Sequence, residues 1–114
     1  MPQAHLTGEL RPWPPKGRLA AILRDAGFQV AASKFAIRLD DLSHFIFQDY
    51  GGYEAEPRID ADAENAEVLL REATRVSEAL AKAGIVHRFE IYEENEGQIE
   101  SQMKYYLHHG WPLP

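Results

Sequence analysis

Between Asp60 and Glu93 the spacing of the apolar residues changes once, and that change limits what the chain can become. Ala66, Leu69, Leu70, Ala73, Val76, Leu80 and Ala83 recur at intervals of three and four, which places them on one stripe of a helix. Glu67, Arg71, Arg75, Glu78 and Lys82 occupy the opposite face. Glu67 with Arg71 and Glu78 with Lys82 are acid-first pairs four apart, each worth roughly 0.2–0.5 kcal/mol. Asp60, Asp62 and Glu64 read as the acidic start of this helix: all three suit the positive end of its dipole, and Asp60 or Asp62 caps a free amide. Gly84 is placed to stop the helix in the left-handed conformation. Beyond it, His87, Phe89 and Ile91 alternate with Arg88, Glu90 and Tyr92, the period of a strand with one wet face.

On either side of this unit the sequence predicts a small α+β domain. Residues 1–15 read as an extended N-terminal arm or edge strand followed by a proline-rich connector, Arg11-Pro12-Trp13-Pro14-Pro15. Leu19, Ala20, Ile22, Leu23 and Ala26 predict a short helix closed by Gly27. Phe28 to Leu39 reads as a strand with Phe35, Ile37 and Leu39 on one face, Asp40-Asp41 as a turn, and Ser43 to Tyr50 as the returning strand of a hairpin. In that returning strand Phe45 and Phe47 face inward, and His44, Ile46, Gln48 and Tyr50 face outward. Residues 51–59 form a loop containing Gly51, Gly52, Tyr53 and Pro57. Asn95 with Gln98 has the spacing of a capping box, so Ile99, Met103, Tyr106 and Leu107 read as a last helical stripe, closed by Gly110. Residues 16–110 make one domain, and 111–114 an extended tail.

One internal echo supports a two-part plan. Leu23-Arg24-Asp25-Ala26-Gly27-Phe28 and Leu80-Ala81-Lys82-Ala83-Gly84-Ile85 both run helix, Ala-Gly, bulky apolar residue, strand. The element order then matches a ferredoxin-like βαββαβ two-layer sandwich, an antiparallel sheet with helices on one face, plus an extra C-terminal helix. Such an architecture hosts many unrelated functions and names none of them.

Composition removes several chemistries. The chain has 114 residues, a formal net charge of −6 and no cysteine. Thiol catalysis, disulfides and thiolate metal sites are therefore out. An acidic domain is poorly suited to nucleic acid, whose binding rests on neutralising phosphates. No apolar run approaches the ~20 residues of a membrane-spanning helix. The N-terminus lacks the basic start and apolar segment of a secretory signal, and a cytoplasmic location is expected. No phosphate-loop, dinucleotide or nucleophile-elbow motif occurs. His108 and His109 are adjacent, about 100° apart on a helix, and do not suit one metal ion. Asp60-Ala61-Asp62-Ala63-Glu64 begins like a calcium loop, but Asn65 and Arg71 stand where that loop needs glycine and a bidentate glutamate. No metal or cofactor is expected.

What remains is a surface. Arg38, His44, Tyr50, Arg88 and Tyr92 fall on the outer sheet face, and Tyr53 stands in the 50–59 loop beside it. Tyrosine and arginine together are the composition of interfaces. The expected function is a small acidic soluble binding module, without catalysis, that uses the outer sheet face or the 50–59 loop to hold a protein partner, a second copy of itself through the sheet face, or a small ligand. The alternative is a small dimeric α+β-barrel enzyme doing acid–base chemistry on a small organic acid, with Arg38 or Arg88 clamping the carboxylate.

Overall fold

A computed structural model describes residues 3–48, 56–94 and 102–112. The chain forms β1 (Ala4–Arg11), α1 (Lys16–Asp25), β2 (Val30–Ala32), β3 (Ile37–Leu39), β4 (Phe45–Gln48), β5 (Arg58–Ala63), α2 (Ala66–Lys82), β6 (Val86–Glu93) and β7 (Gln102–His109). The strands make one seven-stranded sheet in the order β2-β3-β4-β5-β1-β6-β7, antiparallel at every pairing.

This corrects the ferredoxin-like βαββαβ reading, which allows a four-stranded sheet and puts a third helix at the C-terminus. Arg58–Ala63 is a strand, not the entry to the central helix: Ile59, Ala61 and Ala63 are buried while Arg58 and Asp60 are exposed. Its neighbours β4 and β1 supply hydrogen bonds on both edges, so tertiary pairing overrides the weak strand preference of Asp and Ala. Gln102–His109 is also a strand. A register shift opposite Ile91 and Tyr92 pairs Tyr105 with Ile91 but Met103 with Tyr92, leaving Lys104 over. That bulge puts Met103 and Tyr106, three apart, on one face, so the spacing imitates a helix. Phe28–Leu39 holds two short strands with a turn between them, and Phe35 on that turn is 42% exposed instead of inward. β1 is an interior strand between β5 and β6, not an edge or an arm. Asn95, Gln98 and Ile99 lie outside the described residues.

Alternation along β1, β3, β4, β5 and β6 sorts the sheet into two faces. Leu6 and Leu10 on β1, Ile37 and Leu39 on β3, Phe45 and Phe47 on β4, and Phe89 and Ile91 on β6 are buried on the inner face. There they meet Leu19, Ala20 and Leu23 of α1 and Leu69, Ala73, Val76 and Leu80 of α2 in one core. Each large side chain buried this way contributes roughly 1.5–3 kcal/mol. Phe45 lies between Phe47 and Phe89, with ring centroids 5.7 and 6.1 Å away.

Both helices end in the same device. Gly84, at φ 77°, donates to Ala81 O at 2.9 Å, and the Ile85 amide reaches back to Leu80 O at 2.9 Å. In α1 the Gly27 amide bonds Arg24 O at 2.9 Å and the Phe28 amide bonds Leu23 O at 3.1 Å. These are two Schellman caps, and they account for the Leu-x-x-Ala-Gly-apolar echo. At the other end of α2, Asn65 accepts from the Val68 amide at 2.9 Å, and Glu93 from β6 accepts from the Ala66 amide at 2.7 Å. Asn65, not Asp60 or Asp62, is thus the cap.

Gly8 is where β1 meets the Phe89 ring. A Cβ there would stand 2.6 Å from Phe89 Cδ1 and 3.0 Å from the Arg88 carbonyl oxygen, while one at Gly17 in α1 would meet nothing within 4 Å. Gly8→Ala is therefore expected to cost about 1–3 kcal/mol in urea unfolding. Gly17→Ala is expected to stabilise by about 0.5 kcal/mol. Equal effects of the two substitutions would refute this account of the β1–β6 contact.

Candidate functional site

Both helices lie on the inner face, so among the described residues the outer face carries no helix. Arg88, Glu90 and Tyr92 point outward from β6, His5, Thr7 and Glu9 from β1, and Met103, Tyr106 and His108 from β7. At the β6–β7 end of this face is an open cleft of about 440 Å³, lined by Arg88, Glu90, Tyr92, Met103, Tyr106, Trp111 and Pro112.

The two charged groups in the lining, Arg88 and Glu90, are bonded to each other. Arg88 also reaches Glu9 across the β1–β6 pairing at 3.4 Å. Its guanidinium carbon stands 5.2 Å from the Trp111 ring centre, and that of Arg11 stands 4.1 Å away. Tyr92 donates its hydroxyl to the other Glu90 oxygen, which holds the phenol above its ordinary pKa and so protonated. On its other side Tyr92 stacks on His5, with 5.4 Å between ring centres. Tyr106 stacks on His108 at 5.1 Å. Met103 is 52% exposed at the mouth. The cleft is thus an aromatic and thioether surface over a charge pair already satisfied from within.

Of the described residues among those singled out from the sequence, the fold brings only Arg88 and Tyr92 together. Arg38 is exposed on β3 and bonded to Asp40 at 2.5 Å. His44 is exposed just ahead of β4, where its carbonyl accepts from the Asp62 amide at 3.1 Å. β5 and β1 stand between β4 and β6, which puts His44 roughly 14 Å across the sheet from the cleft. Tyr50 and Tyr53 lie outside the described residues. Met103, Tyr106 and Trp111 were not among the expected site residues, because residues 99–109 read as a helix, with Met103 and Tyr106 as a lid over this face, and 111–114 as a tail. The strand preference of Tyr105-Tyr106 was the available signal against that helix.

His87 and His44 fall on opposite faces, as their parity in the sequence requires. His87 is 0% exposed beneath α2. Its Nδ1 lies 2.8 Å from Ile85 O and its Nε2 2.7 Å from Ser77 Oγ. A carbonyl only accepts, so Nδ1 carries the proton and the Ser77 hydroxyl donates to Nε2. With both ring nitrogens engaged and no surface exposed, it acts as a satisfied core histidine. Among the described residues, no three His, Asp or Glu side chains come together to hold a metal ion. No helix there is long and apolar enough to cross a membrane.

Burial, and to a lesser degree the like charge of His109 and His108, holds the His87 pKa below its ordinary value of 6.5. Below that value the unfolded chain takes up a proton that the folded chain refuses, so stability falls as pH drops. The limiting slope is about 1.4 kcal/mol per pH unit. Urea unfolding between pH 7 and 5 should show a steeper loss for the native chain than for His87→Gln. Parallel slopes would mean that His87 does not titrate as its burial requires. Comparison of the chain with protein-family models, curated proteins and solved structures found no match.

Proposed function

We propose that this chain is a non-catalytic binding module whose working surface is the outer sheet face, and that the β6–β7 cleft takes an uncharged, largely apolar group such as a planar aromatic ring. One observation carries the reading: the charged groups lining the cleft, Arg88 and Glu90, are bonded to each other, and the other lining residues are Tyr92, Met103, Tyr106, Trp111 and Pro112. A volume of about 440 Å³ suits a small molecule or one large side chain of a protein partner. A charged ligand would have to break the Arg88–Glu90 pair or lie against it unmatched, and either loses hydration without a partner. A neutral ring gains aromatic contact and loses little.

The same pairing weighs against a carboxylate-clamping enzyme. Arg88 would first have to leave both Glu9 and Glu90. The Tyr92 phenol is tied to a carboxylate and kept protonated, and so makes a poor base. The 50–59 loop, the other surface expected from the sequence, lies largely outside the described residues, which leaves the sheet face as the surface to test.

The test compares three probes of similar size by thermal shift: indole (neutral), benzoate (anionic) and phenethylamine (cationic). Indole at saturation is expected to raise the Tm through its preference for the native state, with smaller shifts from the two ions. Trp111→Ala and Tyr106→Ala are each expected to weaken indole binding about fivefold, or ~1 kcal/mol, with the fold retained. Benzoate outperforming indole, or full indole binding by both variants, would sink the proposal.

A further inference from the structure

The polar groups lining the β6–β7 cleft differ in what they have left to offer. Glu90 is engaged on both oxygens, one by Arg88 and the other by the Tyr92 hydroxyl. Arg88 is engaged on both terminal nitrogens, the second by Glu9 at 3.4 Å. Tyr106 and Trp111 are different. Both are half-buried in the lining, and neither side chain makes a hydrogen bond among the described residues. Their contacts are made by the rings. Tyr106 stacks on His108 at 5.1 Å, and the guanidinium carbons of Arg11 and Arg88 stand 4.1 and 5.2 Å from the Trp111 ring centre.

What is left unengaged is mostly of one sense. An indole N–H only donates, and so does each remaining N–H of Arg88, while a phenol hydroxyl can donate or accept. An acceptor brought into the cleft therefore meets uncommitted donors, and the Arg88–Glu90 pair stays intact. A donor meets only the Tyr106 oxygen or a carboxylate oxygen already shared. A polar group buried without a partner costs more than one ordinary hydrogen bond returns, so this asymmetry selects among ligands. Among the donors, the Tyr106 hydroxyl alone turns about its own C–O bond to suit what it meets, on a ring held by His108.

Resting on the reading of the cleft as a site for a neutral ring, we propose that its ligand is a small aromatic carbonyl compound and that the Tyr106 hydroxyl is the donor that selects it. The ring lies against the aromatic and thioether lining, and the uncharged carbonyl oxygen accepts from Tyr106. A carboxylate is excluded for the reason already given, since its full charge would have to be matched against a guanidinium held by Glu9 and Glu90. A neutral carbonyl makes no such demand.

The test uses a pair of probes with one skeleton: indane, which has no polar group, and 1-indanone, which adds a carbonyl. Each is titrated into the native chain at neutral pH, and the amide and indole N–H resonances of residues 102–112 locate the binding. 1-Indanone is expected to bind about fivefold more tightly than indane. Tyr106→Phe keeps the ring and removes the hydroxyl. In that variant 1-indanone is expected to fall to within about twofold of indane. Indane, and indole with its single N–H donor, are expected to keep their native affinities. Equal affinity of the two probes for the native chain overturns the proposal and leaves the cleft reading standing. So does a carbonyl preference that survives in Tyr106→Phe, or a loss of indole binding in that variant. Failure of indole, indane and 1-indanone alike to bind the native chain overturns both.

Discussion

One-sided cover is the constraint on which the rest of this structure depends. The two helices are amphipathic and lie on the same face of the sheet, so the fully buried apolar residues of the strands are on that side. Alternation makes the arrangement unforgiving, since a one-residue slip in any strand would turn its whole buried set to water. Gly8 shows how tight the packing is, because β1 has room for the Phe89 ring only where it lacks a side chain. The links from helix to sheet reinforce the layer: Glu93 caps the start of α2, and Glu72 accepts the Ser43 amide at 2.9 Å from the β3–β4 connection.

The second face follows from the first. With no helix to cover it, its side chains must satisfy one another or face water. Arg88 does so through Glu9, Glu90 and Trp111, and Glu90 in turn holds the Tyr92 hydroxyl. Partly exposed ion pairs of this kind are worth little in stability, of order 0–1 kcal/mol each. Their effect is on recognition. They remove Arg88 as a free anion site and leave aromatic and thioether surface as what the cleft can offer a ligand.

Much of this was legible in the chain, and the exceptions have identifiable causes. The apolar stripe of α2, the parity of β6 and the opposite facing of His44 and His87 follow from spacing alone. The repeated Leu-x-x-Ala-Gly-apolar segment was visible too, and it marks two helix caps, not two halves of a duplicated fold. β5 was hidden because Asp60 and Asp62 suit a helix start as well as they suit the wet face of a strand. β7 was hidden because its bulge breaks period two and sets Met103 and Tyr106 three apart on one face. In both cases the deciding hydrogen bonds come from strands distant in sequence, β1 and β4 for one and β6 for the other.

The sequence by itself determined the local elements whose signals are written in neighbouring residues: the α2 stripe, the glycine stops, the alternation of β6, and the absence of thiol chemistry. Tertiary structure alone decided which segments complete the sheet, that β1 lies at its interior, and that Glu9, Arg88, Glu90 and Trp111 meet. The physical reason is range. A helix cap or an amphipathic stripe is settled within a few residues. Strand pairing and a cross-strand charge cluster join residues as far apart as Glu9 and Arg88, whose encounter no local pattern records.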